Sequence, residues 1–336
     1  MVEHRLGSTC RDVRRLQERL RELELYRGPL EGAYGGGTEA AVRAFQEREE
    51  LPANGVVDET TWERLFGIPP PVPWFTGLPL FERAFALCAL FETGAGPPGC
   101  YASVAGDADG QGLSWGALQW SFGNGSLAPL LRRLLDEHAD VMRFAFHGHL
   151  PELVELLDAA ADEQLRFARS IQHPVRHYVC EPWRGRFAAL GRMAAAQHVQ
   201  RAEAKVLWKR AERLAEDLGL ASERGVVLMM DAEVQSGGVP DLVRRRLAAD
   251  FAALPAELPP EAAEVERLRL LADRFAAAAP PRWAHDVRQR KLAIAEGAGR
   301  VHGIRLDLEE QFGIGLERFC CREPGARDFA LQRSTQ

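Results

Sequence analysis

Two carboxylates seventeen residues apart, Glu92 and Asp109, frame the stretch of this chain whose residue types could do chemistry. Glu92 follows the apolar residues Leu87, Cys88, Leu90 and Phe91. Burial disfavours the charged form of a carboxyl, so a group in that setting can hold a proton near neutral pH. Asp109 lies in Gly106-Asp107-Ala108-Asp109-Gly110-Gln111-Gly112. Glycines let such a loop approach a ligand, and a polar, wet setting keeps a carboxylate ionised. An acid beside an ionised carboxylate is what breaking a glycosidic bond requires: one protonates the leaving oxygen, the other acts as base or nucleophile. Other readings fit the same residues. Glu92 could be a helix-end carboxylate in a salt bridge. Asp107 and Asp109 could form a turn or a calcium loop, although the Glu that closes an EF-hand loop is missing at its spacing. Asp107 is also an alternative base, or a support for Asp109. Downstream, Ser114 offers a hydroxyl, Gln119 an amide and Trp120 an indole. Gln119 is placed on a substrate groove for hydrogen bonding and Trp120 for stacking, with one of Trp115 and Trp120 expected in the core.

The elements that must position these groups are mostly helical. Leu80–Glu92 is apolar almost all round and reads as a buried helix, with Pro79 at its first position. Residues 93–125 hold nine glycines and read as loop with short strands. From about 126 to 319 helical patterns dominate, broken near Gly148, Pro174, Pro182, Gly237-Gly238 and Pro280-Pro281. No internal repeat is evident. The last residues, from about 322, read as a loose tail.

The first 66 residues form a separate pattern. Val13, Leu16, Leu20 and Leu23 recur at helical spacing over 11–23. A second helix is expected over 38–50, with Thr38 as its N-cap after Gly35-Gly36-Gly37, and a third over 58–66. Tyr34 beside the glycines either stacks on a ligand or covers core, and Gln17 and Gln46 are expected to bond turn backbone. Four prolines within 69–73 favour an extended linker. The resulting division is 1–66, a linker at 67–78, and a larger domain over 79–336.

The series Val13-x-x-Leu16-Gln17-x-x-Leu20, Tyr26-x-Gly28, Leu30-Glu31-Gly32-x-Tyr34-Gly35, Ala41-Val42-x-x-Phe45-Gln46, Gly55-Val56-Val57 and Thr61-Trp62-x-x-Leu65 resembles the three-helix peptidoglycan-binding domain of cell-wall hydrolases. The family's Asp-Gly turns are Glu31-Gly32 and Asn54-Gly55 here. The resemblance implies peptidoglycan as partner, with Tyr34 and Thr38 as candidate contacts. The segment 90–125 resembles the lysozyme superfamily, most closely the chitosanase-like branch of glycoside hydrolases. Leu113 and Ser114 stand where that branch has an aromatic residue and Thr. Met230–Gly237 and Arg288–Leu292 look like that branch's internal helix and late Arg-bearing helix. Gly116-Ala117-Leu118-Gln119 is similar to a segment of goose-type lysozymes and lytic transglycosylases. The resemblance implies a mainly α architecture, with a lysozyme-like α+β domain containing a short β/loop region. It implies Glu92 as general acid, Asp109 as general base, Ser114 holding the attacking water, and inversion with the carboxyls roughly 6.5–9.5 Å apart.

The expected activity is hydrolysis of the cell-wall glycan by a muramidase-like glycosidase. Alternatives are a chitosanase-type glycosidase, a lytic transglycosylase, or a non-catalytic wall-binding protein. A net charge of −6 argues against nucleic acid as partner, and no run reaches the length of a membrane span. The N-terminus shows no signal-peptide core, so delivery to the wall by phage lysis or a secretion system is expected. No cofactor or metal is expected: His147-x-His149 and His173-x-x-x-His177 read as satisfied histidines, the latter pair being broken by Pro174. Asp231 and Gln235 are expected as a buried pair bonding the catalytic loop, and Asp286, Arg288 and Arg290 as structural ion pairs. Cys88 reads as a buried thiol, and Cys100–Cys180 is the pairing considered for a disulfide, with free thiols favoured. A monomer is expected.

Overall fold

The computed structural model describes residues 4–6, 8, 11–68 and 74–319. The prolines at 69–73, Cys10, Cys320, Cys321 and the tail from 322 lie outside the described residues. The chain is mainly helical, with five short strands among the described residues. It divides into two compact units: residues 77–209, and residues 1–76 together with 210–336.

The N-terminal part contains α1 (Arg11–Glu22), α2 (Gly36–Arg48) and α3 (Glu59–Phe66). Val13, Leu16, Leu20, Val42, Phe45, Trp62 and Leu65 meet in one buried core, as their helical spacing requires. α2 starts two residues before the expected Thr38, with Gly35 at the N-cap. Asp58 caps α3 by accepting from the Thr61 N–H at 2.8 Å.

Two buried glutamines hold this small module together, and they do so by the same scheme. Gln17 Oε1 accepts from the Gly32 N–H at 3.0 Å, while its Nε2 donates to the Ala33 carbonyl and to Thr38 Oγ1. Gln46 Oε1 accepts from the Gly55 N–H at 2.9 Å, while its Nε2 donates to the Val56 carbonyl and to Thr61 Oγ1. Each amide therefore fixes a polar-Gly turn and the threonine that opens the next helix. This is an internal repeat that the sequence did not disclose. The glutamine-to-threonine spacing is 21 in the first copy and 15 in the second, so no single period aligns them.

Within 77–209, α4 (Leu80–Thr93) buries nearly every side chain from Phe81 to Phe91 and ends at Gly94 in the left-handed conformation. Pro79 lies at the N-cap rather than the first helical position, one residue from the expected place. The glycine-rich stretch forms a 3-10 turn at Gly99–Ala102 and a three-stranded antiparallel sheet of β1 (Val104–Ala105), β2 (Ser114–Trp115) and β3 (Trp120–Ser121). β2 is central, pairing Ala105 with Ser114 and Ser114 with Ser121. Helices α5 (Leu127–Glu137), α6 (Ala139–Phe146), α7 (Leu150–Asp158), α8 (Ala161–Ser170), α9 (Trp183–Gly191) and α10 (Ala194–Asp217) follow. The breaks between α6 and α7 and between α8 and α9 contain Gly148, Pro174 and Pro182, which the sequence marks, whereas those at His138, Ala159-Ala160 and Arg192-Met193 carry no such mark. Cys100 and Cys180 are free thiols, and burial pushes the Cys100 thiol up to about 12.

The later part comprises α11 (Glu223–Ser236), α12 (Asp241–Ala252), α13 (Pro260–Ala278), α14 (Pro281–Glu296), a hairpin of β4 (Ala298–Val301) and β5 (Ile304–Asp307), and α15 (Leu308–Phe312). The hairpin interrupts the stretch to 319 in which helical patterns were expected to dominate. Its turn is His302-Gly303, both at positive φ, a dipeptide that twists with the strands it joins. Asp231 is fully buried and bonds Arg290 Nη2 at 2.6 Å and Lys291 Nζ at 2.9 Å, and Lys291 also donates to Gln235. Asp231 and Gln235 are thus tied to α14, not to a catalytic loop, because a buried carboxylate needs cations opposite it. Burial pushes the Asp231 carboxyl up; the Arg290 and Lys291 charges pull it further down, leaving it below the ordinary range. Arg288 pairs with Asp273 at 2.7 Å as a structural ion pair, and Asp286 Oδ1 lies within hydrogen-bond distance of His302 Nε2, at 2.6 Å.

Candidate active site

Glu92 sits in the last turn of α4, half-buried, on a helix anchored by its apolar surface. Thr93 turns the chain after it: its hydroxyl donates to the Ala89 carbonyl, and the Ala95 N–H donates back to Thr93 Oγ1 at 3.1 Å. Phe85 of α4 stacks on Tyr101 at 5.7 Å between ring centroids. Tyr101 in turn accepts at its carbonyl from Gln200 Nε2, and Gln200 Oε1 accepts from the Ala117 N–H at 2.9 Å. A continuous path of packed and bonded groups therefore links the helix bearing Glu92 to the β2–β3 turn.

The acidic loop between β1 and β2 treats its two aspartates differently. Asp107 is clamped. Its Oδ1 accepts from the Gly112 N–H at 3.0 Å, and its Oδ2 from Arg169 Nε at 2.8 Å, with only 10% of its side chain exposed. Its own N–H donates to buried Gln172 Oε1 at 2.7 Å. Burial pushes the Asp107 carboxyl up, but the hydrogen bonds from Arg169 and Gly112 and the guanidinium charge outweigh it, so the group lies below the ordinary carboxylate value. Asp109 is exposed at the tip of the loop, and its Oδ1 accepts from the Gln111 N–H at 3.1 Å. Gly106 at the loop's base passes so close to the chain that a Cβ there would lie 1.6 Å from the His177 carbonyl oxygen. The loop is braced at its foot and open at its tip.

Ser114 is half-buried in β2, whose neighbour Trp115 is fully buried and donates its indole N–H to the Phe187 carbonyl at 2.9 Å. Trp115 is core. Trp120 is also buried, at 8% exposure, so little of the indole expected to stack on substrate is open. The strand pair is only two residues long, so Trp120 opposite Trp115 is drawn into the same packing. Gln119, at φ 51°, donates to the Gly116 carbonyl at 2.8 Å and closes the β2–β3 turn. In the N-terminal module, Tyr34 is 2% exposed and donates its hydroxyl to the Gly55 carbonyl, while Thr38 is 1% exposed and accepts from Gln17. Both are buried in the core of the module, since so small a core uses every ring it can bury. Gln17 and Gln46 bond turn backbone as expected.

Three supporting residues escaped the sequence reading: Arg169, Gln172 and Gln200. Gln172 reaches the loop across 65 residues and Gln200 reaches the turn across 83. No local pattern signals such partners. Two of the histidines considered for metal have other partners: His173 Nδ1 accepts from the Val175 and Arg176 N–H groups, and His149 stands 3.5 Å from Glu152.

Residues 11–65 match the family model described as "Putative peptidoglycan binding domain". No curated protein matches the chain. Among solved structures, the chain is similar to a GH46 chitosanase of Gynuella sunshinyii in complex with chitotetraose, at 18% identity and a TM-score of 0.46, covering 66% of this chain and 89% of that one. A mutant chitosanase of Bacillus subtilis MY002 complexed with 6 GlcN aligns at 17% identity and a TM-score of 0.45, over 65% and 86% of the two chains. A further chitosanase complex aligns at 17% identity and a TM-score of 0.48, over 67% and 95%.

Proposed function

We propose that this chain is a peptidoglycan hydrolase that cuts the glycan strand of the bacterial cell wall as a muramidase-like glycosidase. The observation that carries the reading is the pairing, in one chain, of a peptidoglycan-binding match over 11–65 with the carboxylates Glu92 and Asp109 on one compact unit. Glu92 is the general acid that protonates the leaving oxygen. Asp109 is the general base that activates water, since Asp107 already spends both oxygens on the loop and Arg169. Ser114, next to the loop in β2, holds the attacking water, and the outcome is inversion. The wall-binding module keeps the catalytic unit at an insoluble polymer by raising its local concentration.

Purified sacculi treated with the protein should release fragments whose new reducing ends carry one added water. Glu92→Gln should lower that rate by at least about 10²–10⁴-fold with the fold intact. Anhydro ends would identify a lytic transglycosylase instead. Faster cleavage of chitosan in a parallel assay would move the substrate to that polymer. Wild-type clearing by Glu92→Gln would overturn the assignment of the acid.

A further inference from the structure

Beside β1 lies a groove formed of two hollows of about 540 and 330 Å³ that share Glu181 and Arg184 in their walls. Arg176 and Tyr178 line the first, Val104 of β1 and Arg192 line the second, and Glu181 with Arg184 line both. Volumes of this order suit a small organic group rather than a single ion. Three guanidinium groups face one carboxylate. Glu181 is already committed to Arg184, at 3.0 Å, and to the Gly185 N–H, at 2.9 Å. Among the described residues no carboxylate pairs with Arg176 or Arg192, and both are exposed. The groove therefore carries a net positive charge within a protein whose overall charge is −6.

The turn that bears Arg176 is rigidly built. His173 Nδ1 accepts from the Val175 and Arg176 N–H groups, the His173 N–H donates to the Tyr178 carbonyl, and Gln172 bridges to Val179. Tyr178 is 49% exposed, and its ring lies against the His173 ring at 5.0 Å. The same turn supports the acidic loop: Gln172 accepts from the Asp107 N–H, and Gly106 packs against the His177 carbonyl. The groove thus begins at the foot of the loop whose tip carries Asp109.

We infer that this groove is a subsite for the carboxylate-bearing peptide stem that branches from a peptidoglycan strand, with Arg176 and Arg192 as its anion contacts and Tyr178 as its stacking surface. The inference rests on the proposed glycan-cutting activity and gives that site its substrate preference. Guanidinium groups recognise carboxylates by paired N–H donors. A groove for a polycation would carry the opposite charge. The groove and Asp109 belong to the same compact unit.

The test compares intact sacculi with sacculi stripped of their stem peptides by an amidase. For Arg176→Ala/Arg192→Ala, KM on stem-bearing strands should rise roughly 5- to 10-fold, the scale of two partly exposed ion pairs. KM on stripped strands and kcat on both should stay within twofold, and the Arg176→Lys/Arg192→Lys protein should recover part of the preference. An equal rise on both substrates, or none on either, would overturn the subsite. If the wild-type protein cuts neither strand, the glycosidase reading fails, and binding decides the subsite. A soluble muramyl tetrapeptide titrated into the full chain should bind several-fold more weakly to the double Ala variant than to the parent. Equal affinity, or no binding to the parent, would overturn it.

Discussion

Exchanging the two aspartates of the acidic loop, one at a time, should separate stability from catalysis. Asp107→Asn keeps an oxygen for the Gly112 N–H but removes the charge. A hydrogen bond to a charged acceptor contributes about 1.5–3 kcal/mol and a neutral one about 0.5–1.5, so that exchange costs about 1 kcal/mol. The partner Arg169 is 57% exposed, so its ion pair adds only about 0.2–1 kcal/mol. The expected loss is about 1–2 kcal/mol, or about 3–8 °C in the melting of a unit this size. Asp109→Asn removes the charge from an exposed side chain that accepts from one neighbouring N–H, so stability should change by less than about 0.5 kcal/mol. Its glycosidase rate should nonetheless fall at least about 10²-fold. Thermal melting followed by circular dichroism, with release of soluble fragments from sacculi, reads both quantities. The pH dependence follows from the depressed Asp107 carboxyl. Its contribution should be complete above about pH 4, the unfolded value, and should fade as pH drops through the lower folded value. The wild-type advantage over Asp107→Asn should shrink accordingly below pH 4. Unchanged melting for Asp107→Asn together with lost activity, or destabilisation by Asp109→Asn, would refute this division of roles.

Gln200→Leu leaves the Ala117 N–H buried without its acceptor and should cost about 1–3 kcal/mol in urea unfolding; an unchanged midpoint would mean that the β2–β3 turn needs no brace. Lys291→Met leaves fully buried Asp231 with Arg290 as its remaining cationic partner and should cost about 3–5 kcal/mol by the same measurement. Tyr34→Phe removes one buried hydrogen bond, worth about 1 kcal/mol, yet should retain the protein on sacculi as well as the parent does, because the ring is covered. A tenfold weaker retention at unchanged melting temperature would show instead that the hydroxyl meets ligand.

Much of the architecture was legible along the chain because it rests on local rules. The helical spacing of Val13, Leu16 and Leu20 placed α1, and the all-round apolar run before Glu92 placed α4 as a buried helix. Glycines and prolines marked the helix ends, since they disturb backbone geometry wherever they stand. The His302-Gly303 turn is equally local, but helical patterns on both sides of it mask its signal in the sequence.

Residue types alone put both Asp107 and Asp109 forward, and the spacing between them could not rank the two. The resemblance put Asp109 first, and the folded chain adds a physical difference by bringing Arg169 and Gln172 against Asp107 and leaving Asp109 at the tip. The same holds for Tyr34, Thr38 and Trp120, whose chemistry suits a ligand but whose surroundings bury them. The repeat built on Gln17 and Gln46 was hidden by unequal loop lengths and became visible as a pair of hydrogen-bond schemes that share a Gly N–H, a turn carbonyl and a threonine hydroxyl. Periodicity reports which face of an element is apolar; it says nothing of which distant side chain will meet a given carboxylate. The sequence by itself therefore determined the helices and the supply of carboxylates. The tertiary structure decided which carboxylate is clamped, which stands exposed at the loop tip, and where the arginines of the groove gather.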